Sequence, residues 1–321
     1  MCSCGQKVVD RAECYRIDEE KDVTTYFYRS DTGDATMSVY KVFPGIELIY
    51  NSVHMDFCKI GKDVPGNLIE IHHCREGRIE QELENEFLYL MPGDLSIVMR
   101  DKNTGECSFP LRHYHGITIV IETDKAPRCF SCFLKDVNVQ PLTVARKLCG
   151  EKDCYVIRAE EYIEHIFYEI YKVPGRYTIG YLKIKIMELF LVLSSIEPEE
   201  ENKLQSIAVS KTKVTLAKQV AEYLAENLDK KISVTEISRI FHVSQTHLQN
   251  VFKGVYGVPI YSYTRILKMQ AAALNLIHTD LTIMEIAGKC GYDNGSKFAS
   301  AFREIMGETP NEYRRLHNSK K

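Results

Sequence analysis

The sequence predicts an α+β chain of two domains. An antiparallel β jelly roll followed by a helical pair comes first. An all-α domain with two helix-turn-helix units joined by a linker helix comes second. Three observations carry this expectation. Short apolar or alternating runs separated by turn residues fill the stretch from about residue 36 to 122. Two segments with apolar residues at helical spacing follow between about 160 and 195. The last hundred residues contain an internal repeat.

The strand-like runs are "IELIYNSV", "NLIEIHHC", "RIEQEL", "FLYLM", "LSIVMR" and "ITIVIE". Pro44-Gly45, Pro65-Gly66, Glu76-Gly77, Pro92-Gly93-Asp94 and Asn103-Thr104-Gly105 punctuate them with turn chemistry. Residues 1 to about 30 are polar and cysteine-bearing, and show no period. In the first helical segment Ile163, Ile166, Phe167, Ile170 and Tyr171 form one stripe, and Pro174-Gly175 closes it. In the second, Ile179, Leu182, Ile186, Leu189, Phe190 and Leu193 form another, apolar enough to serve a core or a partner helix. Residues 196–212 carry Pro198, an acidic run and small polar side chains, as a linker would. The expected domains are therefore 1–195 and 213–321.

Composition narrows the function classes. The chain has 321 residues, 45% hydrophobic and 26% charged, as in a soluble globular protein. No stretch approaches the roughly 20 apolar residues of a membrane span, and the N-terminus lacks a signal-peptide core. A cytoplasmic protein without a membrane partner is expected. Eleven cysteines in no scaffold spacing read as free thiols. From Lys211 onward there are 16 Lys and Arg against 10 Asp and Glu, and the first 210 residues hold 25 against 34. A basic third behind an acidic body is the electrostatic footprint of a nucleic-acid-binding module.

The repeat gives that footprint a shape. Glu236-Ile237 matches Glu285-Ile286 at an offset of 49. After a one-residue insertion the offset is 50, and Leu248, Phe252, Lys253, Gly257 and Tyr263 match Phe298, Phe302, Arg303, Gly307 and Tyr313. Each copy reads as a short helix, a turn ending in a cap (Ser244, or Asp293-Asn294), and a second helix closed by glycine. That arrangement is used to enter a DNA major groove. At 100° per residue Leu248, Val251, Phe252 and Val255 point inward. Ser244, Gln245, Thr246, Gln249, Asn250 and Lys253 are then left for DNA. The second copy offers Asn294, Ser296, Lys297, Ser300 and Arg303, with Ala299 among them. Gln249 or Asn250 can pair bidentately with adenine, and Arg303 can reach guanine or phosphate. Arg265, Lys268, Arg314 and Arg315 are further phosphate candidates, which would make binding salt-dependent. The helix after Pro259, about 17 residues and roughly 25 Å long, would space the two readers near one turn of DNA.

These motifs resemble one family. From about Thr215 the chain resembles the DNA-binding domain of AraC/XylS-family transcriptional regulators: the "EIA…GY" helix and turn, the "F…FR" recognition helix, the "G-x-T-P-x-x-YR" ending and the "KMQAAALNL" linker helix. Leu267 stands where the family usually carries arginine, with Arg265 and Lys268 on either side. The resemblance implies a regulator, an activator by preference, of promoter DNA. It also implies a cupin-like jelly roll that binds a small effector, a helical pair that forms a homodimer, and RNA polymerase as a further partner. The segment "IHHCREGRIE…FLYLMPGDLSIV" is similar to the sensor half of members linked to iron or siderophore uptake.

His54, His72, Arg78, Glu80, His113 and His115 are the effector-binding candidates. "YLMPGD" resembles the second cupin motif, yet no carboxylate follows His113-x-His115 at a metal-binding spacing, so neither metal nor cofactor is expected. Cys129-x-x-Cys132 with Cys149 and Cys154 departs from zinc-ribbon spacing and reads as free thiols. Neither a phosphate loop nor a Ser/His/Asp context appears, so an enzyme is not expected. The alternatives left open are a metal- or thiol-redox-sensing regulator, a catalytic cupin-type metal site, and a constitutive DNA-binding protein whose jelly roll only dimerises.

Overall fold

A computed structural model of the chain describes residues 12–59, 65–83, 86–102, 106–128, 139–150, 154–173, 178–198 and 208–317. The chain divides into two compact units, Met1–Ala208 and Val209–Lys321.

The first unit contains β1 (Glu13–Glu19), β2 (Val23–Ser30), β3 (Gly33–Phe43), β4 (Ile46–His54), β5 (Phe57–Lys59), β6 (Pro65–Gly77), β7 (Ile79–Leu83), β8 (Glu86–Leu90), β9 (Leu95–Lys102), β10 (Glu106–Ser108), β11 (Tyr114–Glu122), α1 (Pro141–Cys149), β12 (Cys154–Ile157), α2 (Glu161–Tyr171) and α3 (Thr178–Ser195). A large antiparallel sheet runs β1-β2-β3-β4-β11-β6-β9-β12, and a second runs β8-β7-β10-β5. The central strands are buried on both faces. Leu48, Ile71, Ile97 and Ile119 pack against the three helices. Their neighbours Ile49, Leu68, Val98 and Val120 pack against Ile79, Leu88 and Leu90 of the second sheet. Burial on two sides explains why "ITIVIE" and "LSIVMR" are nearly continuous apolar runs.

The expected apolar stripes point into the sheet: Ile163, Ile166, Phe167 and Ile170 of α2, and Leu182, Ile186, Leu189, Phe190 and Leu193 of α3. Tyr171 and Ile179, at the helix ends, are half-buried. Pro174-Gly175, Asn103-Thr104-Gly105 and most of the expected linker lie outside the described residues. The structure adds elements that the sequence pattern did not show. β1 and β2 extend the sheet from Glu13, and β1 is exposed along nearly its whole length, so it needs no apolar alternation. α1 starts on Pro141 and ends at Gly150, the helix-start and helix-stop pairing that marks it in the sequence.

The second unit holds α4 (Lys211–Glu226), α5 (Val234–Ile240), α6 (Gln245–Tyr256), α7 (Ile260–His278), α8 (Ile283–Lys289), α9 (Gly295–Met306) and α10 (Pro310–His317). α4 opens inside the stretch expected to be linker. α8, α9 and α7 share one core built on Met269, Ala272, Leu276, Ile286, Phe298 and Phe302.

His73 shows how tightly the helices close on the sheet. Its ring stacks on Phe167 with centroids 4.0 Å apart and planes 3° from parallel. Neither ring nitrogen has a hydrogen-bond partner among the described residues, and burial pushes the imidazole down to about 4. An unfolded histidine titrates near 6.5. Between those values the unfolded chain takes up a proton that the folded chain refuses, so stability falls on acidification from about pH 6.5 to about pH 4. The loss from this group is about 3 kcal/mol. His73→Phe keeps the stack and removes the titration. Urea unfolding across this range should show a shallower loss in the variant, and parallel curves would refute the assignment.

Candidate nucleic-acid interface

The two helix-turn-helix copies coincide in detail. α5 and α8 each begin with a capping box. Ser233 and Thr282 accept from the amides of Glu236 and Glu285, whose carboxylates accept in return from the cap amides at 2.7 Å in both copies. The turn that follows passes through the left-handed region, at His242 with φ 53° and at Gly291 with φ 72°. The recognition helices are then capped by Ser244, which accepts from the His247 amide at 3.2 Å, and by Asn294, which accepts from Ser296 and Lys297 at 2.9 and 3.1 Å. Both end at left-handed glycines, Gly257 and Gly307. Ser244 and Asn294 therefore already use side-chain oxygens to hold the helix start.

One face of each recognition helix is buried and the other is open. Leu248, Val251, Phe252, Val255 and Tyr256 of α6 face the core, as do Phe298, Ala301 and Phe302 of α9. Phe252 meets Tyr263 edge to face with centroids 5.2 Å apart, and Phe302 meets Tyr313 the same way at 5.4 Å. Gln245, Thr246, Gln249, Asn250 and Lys253 are exposed, and so are Ser296, Lys297, Ser300 and Arg303, with Ala299 half-buried. His247 joins the α6 set. It is absent from the residues expected to face DNA, yet three residues before Asn250 it shares that side of the helix.

The four further phosphate candidates fare differently. Lys268 is buried, its Nζ donating to the Lys230 carbonyl at 3.2 Å, and burial lowers its pKa. Arg265 forms a two-pronged ion pair with Glu304, tying α7 to α9. Arg314 donates to the carbonyls of Leu276 and Leu281 at 3.2 and 2.5 Å. All three are spent within the domain, because each neutralises or satisfies a group that its own packing creates. Arg315 is exposed. Leu267 is buried, so the departure from the family's arginine fills core space.

A family described as a helix-turn-helix domain matches residues 237–316. The transposon Tn10 TetD protein of Escherichia coli is 34% identical over 101 residues, which are 32% of this chain and 73% of TetD. The chain belongs to the AraC family. The F1 operon positive regulatory protein of Yersinia pestis is 37% identical over 98 residues, 30% of this chain and 33% of that protein, so the chain spans only a third of that relative. A solved transcriptional regulator from Chromobacterium violaceum, described as having an AraC-type DNA-binding domain, is 24% identical, with 34% of this chain and 98% of that chain covered at a TM-score of 0.33.

The AraC-family match lies wholly in the second unit. In the first, the structure sorts the effector candidates into three places. His72 lies between the two sheets, its Nδ1 3.1 Å from Thr118 Oγ1, to which Asn51 also donates at 3.0 Å. Beside it burial works to raise the Glu70 carboxyl, but the His72 contact and Arg100 at 2.9 Å hold it below the usual range. Asn51 Oδ1 and Gln81 Nε2 in this layer are buried without a hydrogen-bond partner among the described residues. Arg78 and Glu80 are buried elsewhere, around Tyr89, whose hydroxyl donates to Glu80 at 2.5 Å while the Arg78 guanidinium lies over the ring. His54, His113 and His115 gather on the other face of the large sheet. Burial, then His113, lowers the pKa of His54, and burial, His113 and His54 lower that of His115. Asp94 of "MPGD" pairs with Arg158 and accepts from the Met91 amide at 2.8 Å, so it closes a turn. Cys149 and Cys154 are buried, and Cys129 and Cys132 lie outside the described residues.

The left-handed turn in the AraC-type domain is testable at Gly291. A Cβ there would stand 2.7 Å from the Asp229 carbonyl oxygen, on a backbone with φ 72°. Gly291→Ala should cost about 1–3 kcal/mol, seen as a lower Tm for the C-terminal transition. An unchanged Tm would show that the turn relaxes freely.

Proposed function

We propose that this chain is a sequence-specific regulator of transcription that reads double-stranded promoter DNA, acts in the cytoplasm as a homodimer, and activates in response to a small molecule. The observation that carries the reading is the pair of recognition helices, each with its apolar face buried and its polar face open. Asn250 and Gln249 on α6 are suited to adenine, and Arg303 on α9 to guanine or phosphate. Ser296, Ser300 and Ala299 are short enough for the α9 backbone to approach the groove. Lys253, Lys297, Arg303 and Arg315 are the phosphate contacts in this reading. An activator of this kind would take RNA polymerase as a further partner, and no catalytic role is assigned to the chain.

The effector is assigned to the layer between the two sheets. The support is the row Asn51, Thr118, His72, Glu70 and Gln81, a set of polar groups in an otherwise apolar interior with two polar atoms unmatched. Buried groups of this kind call for a partner. The homodimer is assigned to α3, because Ile184 and Leu191, seven residues apart, are 57% and 40% exposed on the helix whose other side fills the core.

Binding-site selection with random duplex DNA tests the first part. The wild-type protein should recover one recurring motif. Asn250→Ala and Arg303→Ala should each lose about 10- to 100-fold in affinity for it and relax one position. The salt slope should fall by about 1 in Lys253→Gln and stay unchanged in Arg265→Gln. Motif-free binding, with both alanine variants behaving as wild type, would sink the assignment.

The dimer is tested by sedimentation of Ile184→Glu/Leu191→Glu. A monomer with unchanged circular dichroism is expected, and a persisting dimer would place the interface elsewhere.

A further inference from the structure

The three histidines that gather at one end of the large sheet are effector-binding candidates in the sequence, but they lie apart from the layer to which the effector is assigned. His54 closes β4, His115 lies on β11, and His113 precedes β11 by one residue. β4 and β11 pair with Tyr114 opposite Val53 and His115 opposite Ser52. Alternation then sets all three imidazoles on the helix-facing side, in line with Ile46, Leu48, Ile117 and Ile119. On that side Tyr50 meets the end of α2, its hydroxyl donating to the Ile170 carbonyl at 2.8 Å. The next rungs are left open to solvent, with His54 exposed and the other two half-buried.

One ligand atom from each histidine lies within 4.8 Å of the others. The Nε2 atoms of His54 and His115 are 3.4 Å apart. Two nitrogens on one tetrahedral Zn²⁺ at 2.0–2.1 Å would stand about 3.3 Å apart. A carboxylate completes the group. Glu76, opposite His115 on β6 after a bulge, places Oε2 3.6 Å from His113 Nε2 and 4.0 Å from His115 Nδ1. That position suits a fourth ligand or an acceptor that orients an imidazole. In the sequence no carboxylate follows His113-x-His115 at a metal-binding spacing. The fold supplies the missing groups from two other strands.

We propose that His54, His113 and His115, with Glu76 beside them, form a binding site for a divalent transition-metal ion on the outer end of the sensor sheet. Three imidazoles favour zinc, copper or nickel over magnesium or calcium, which take oxygen ligands. The site is separate from the layer between the sheets, so it leaves that layer open to an organic effector.

Full-length, metal-stripped protein is titrated with Zn²⁺ by calorimetry and with Co²⁺ by visible absorption. One equivalent per chain is expected, with a Co²⁺ spectrum free of thiolate charge transfer. His54→Ala/His115→Ala should weaken binding at least about 100-fold and Glu76→Gln about 10-fold, while His165→Ala on the exposed face of α2 leaves it unchanged. Circular dichroism confirms that each variant is folded. The proposal is overturned if no stoichiometric ion binds, if the double variant binds as wild type, or if the Co²⁺ spectrum is that of cysteine ligands.

Discussion

The second unit depends on two aromatic contacts, Phe252 on Tyr263 and Phe302 on Tyr313. Both phenylalanines are fully buried, and each ring anchors a recognition helix to the helix that follows it. A helix has one rotational freedom about its axis, and a buried ring removes it. Once Phe252 and Phe302 face inward, the 3.6-residue period leaves Asn250 and Arg303 no choice but to face outward. Capping boxes, left-handed turns and glycine stops then fix where each helix begins and ends.

This explains why so much of the second unit can be read from the sequence. Caps, turns and apolar periods are local, and they occur twice at a near-constant offset, so each copy checks the other. The fate of the cations cannot be read in the same way. Arg265 finds Glu304 across 39 residues, Lys268 finds Lys230 across 38, and Arg314 finds Leu281 across 33. A basic side chain beside a DNA-facing helix looks the same in sequence whether it meets phosphate or holds the scaffold.

The first unit divides along the same line. Strands buried on both faces announce themselves as apolar runs, and the helices pack against them through the stripes that their spacing shows. β1, exposed along an edge, carries no such mark. The six effector candidates were a class of residue, polar and titratable within an apolar sheet. The fold sorts them by strand parity into an inter-sheet row, a buried knot around Tyr89, and an open cluster of imidazoles. Parity is known only once register is known, and register is set by partners such as Val53 and Tyr114, some 60 residues apart in the chain.

The duplication is similar in frame and dissimilar in face. Where α6 presents Gln249, Asn250 and Lys253, α9 presents Ala299, Ser300 and Arg303. In the proposed complex with DNA, two unlike faces in a fixed order along the chain would ask for two unlike half-sites in a fixed order, so the bound segment would have a head and a tail.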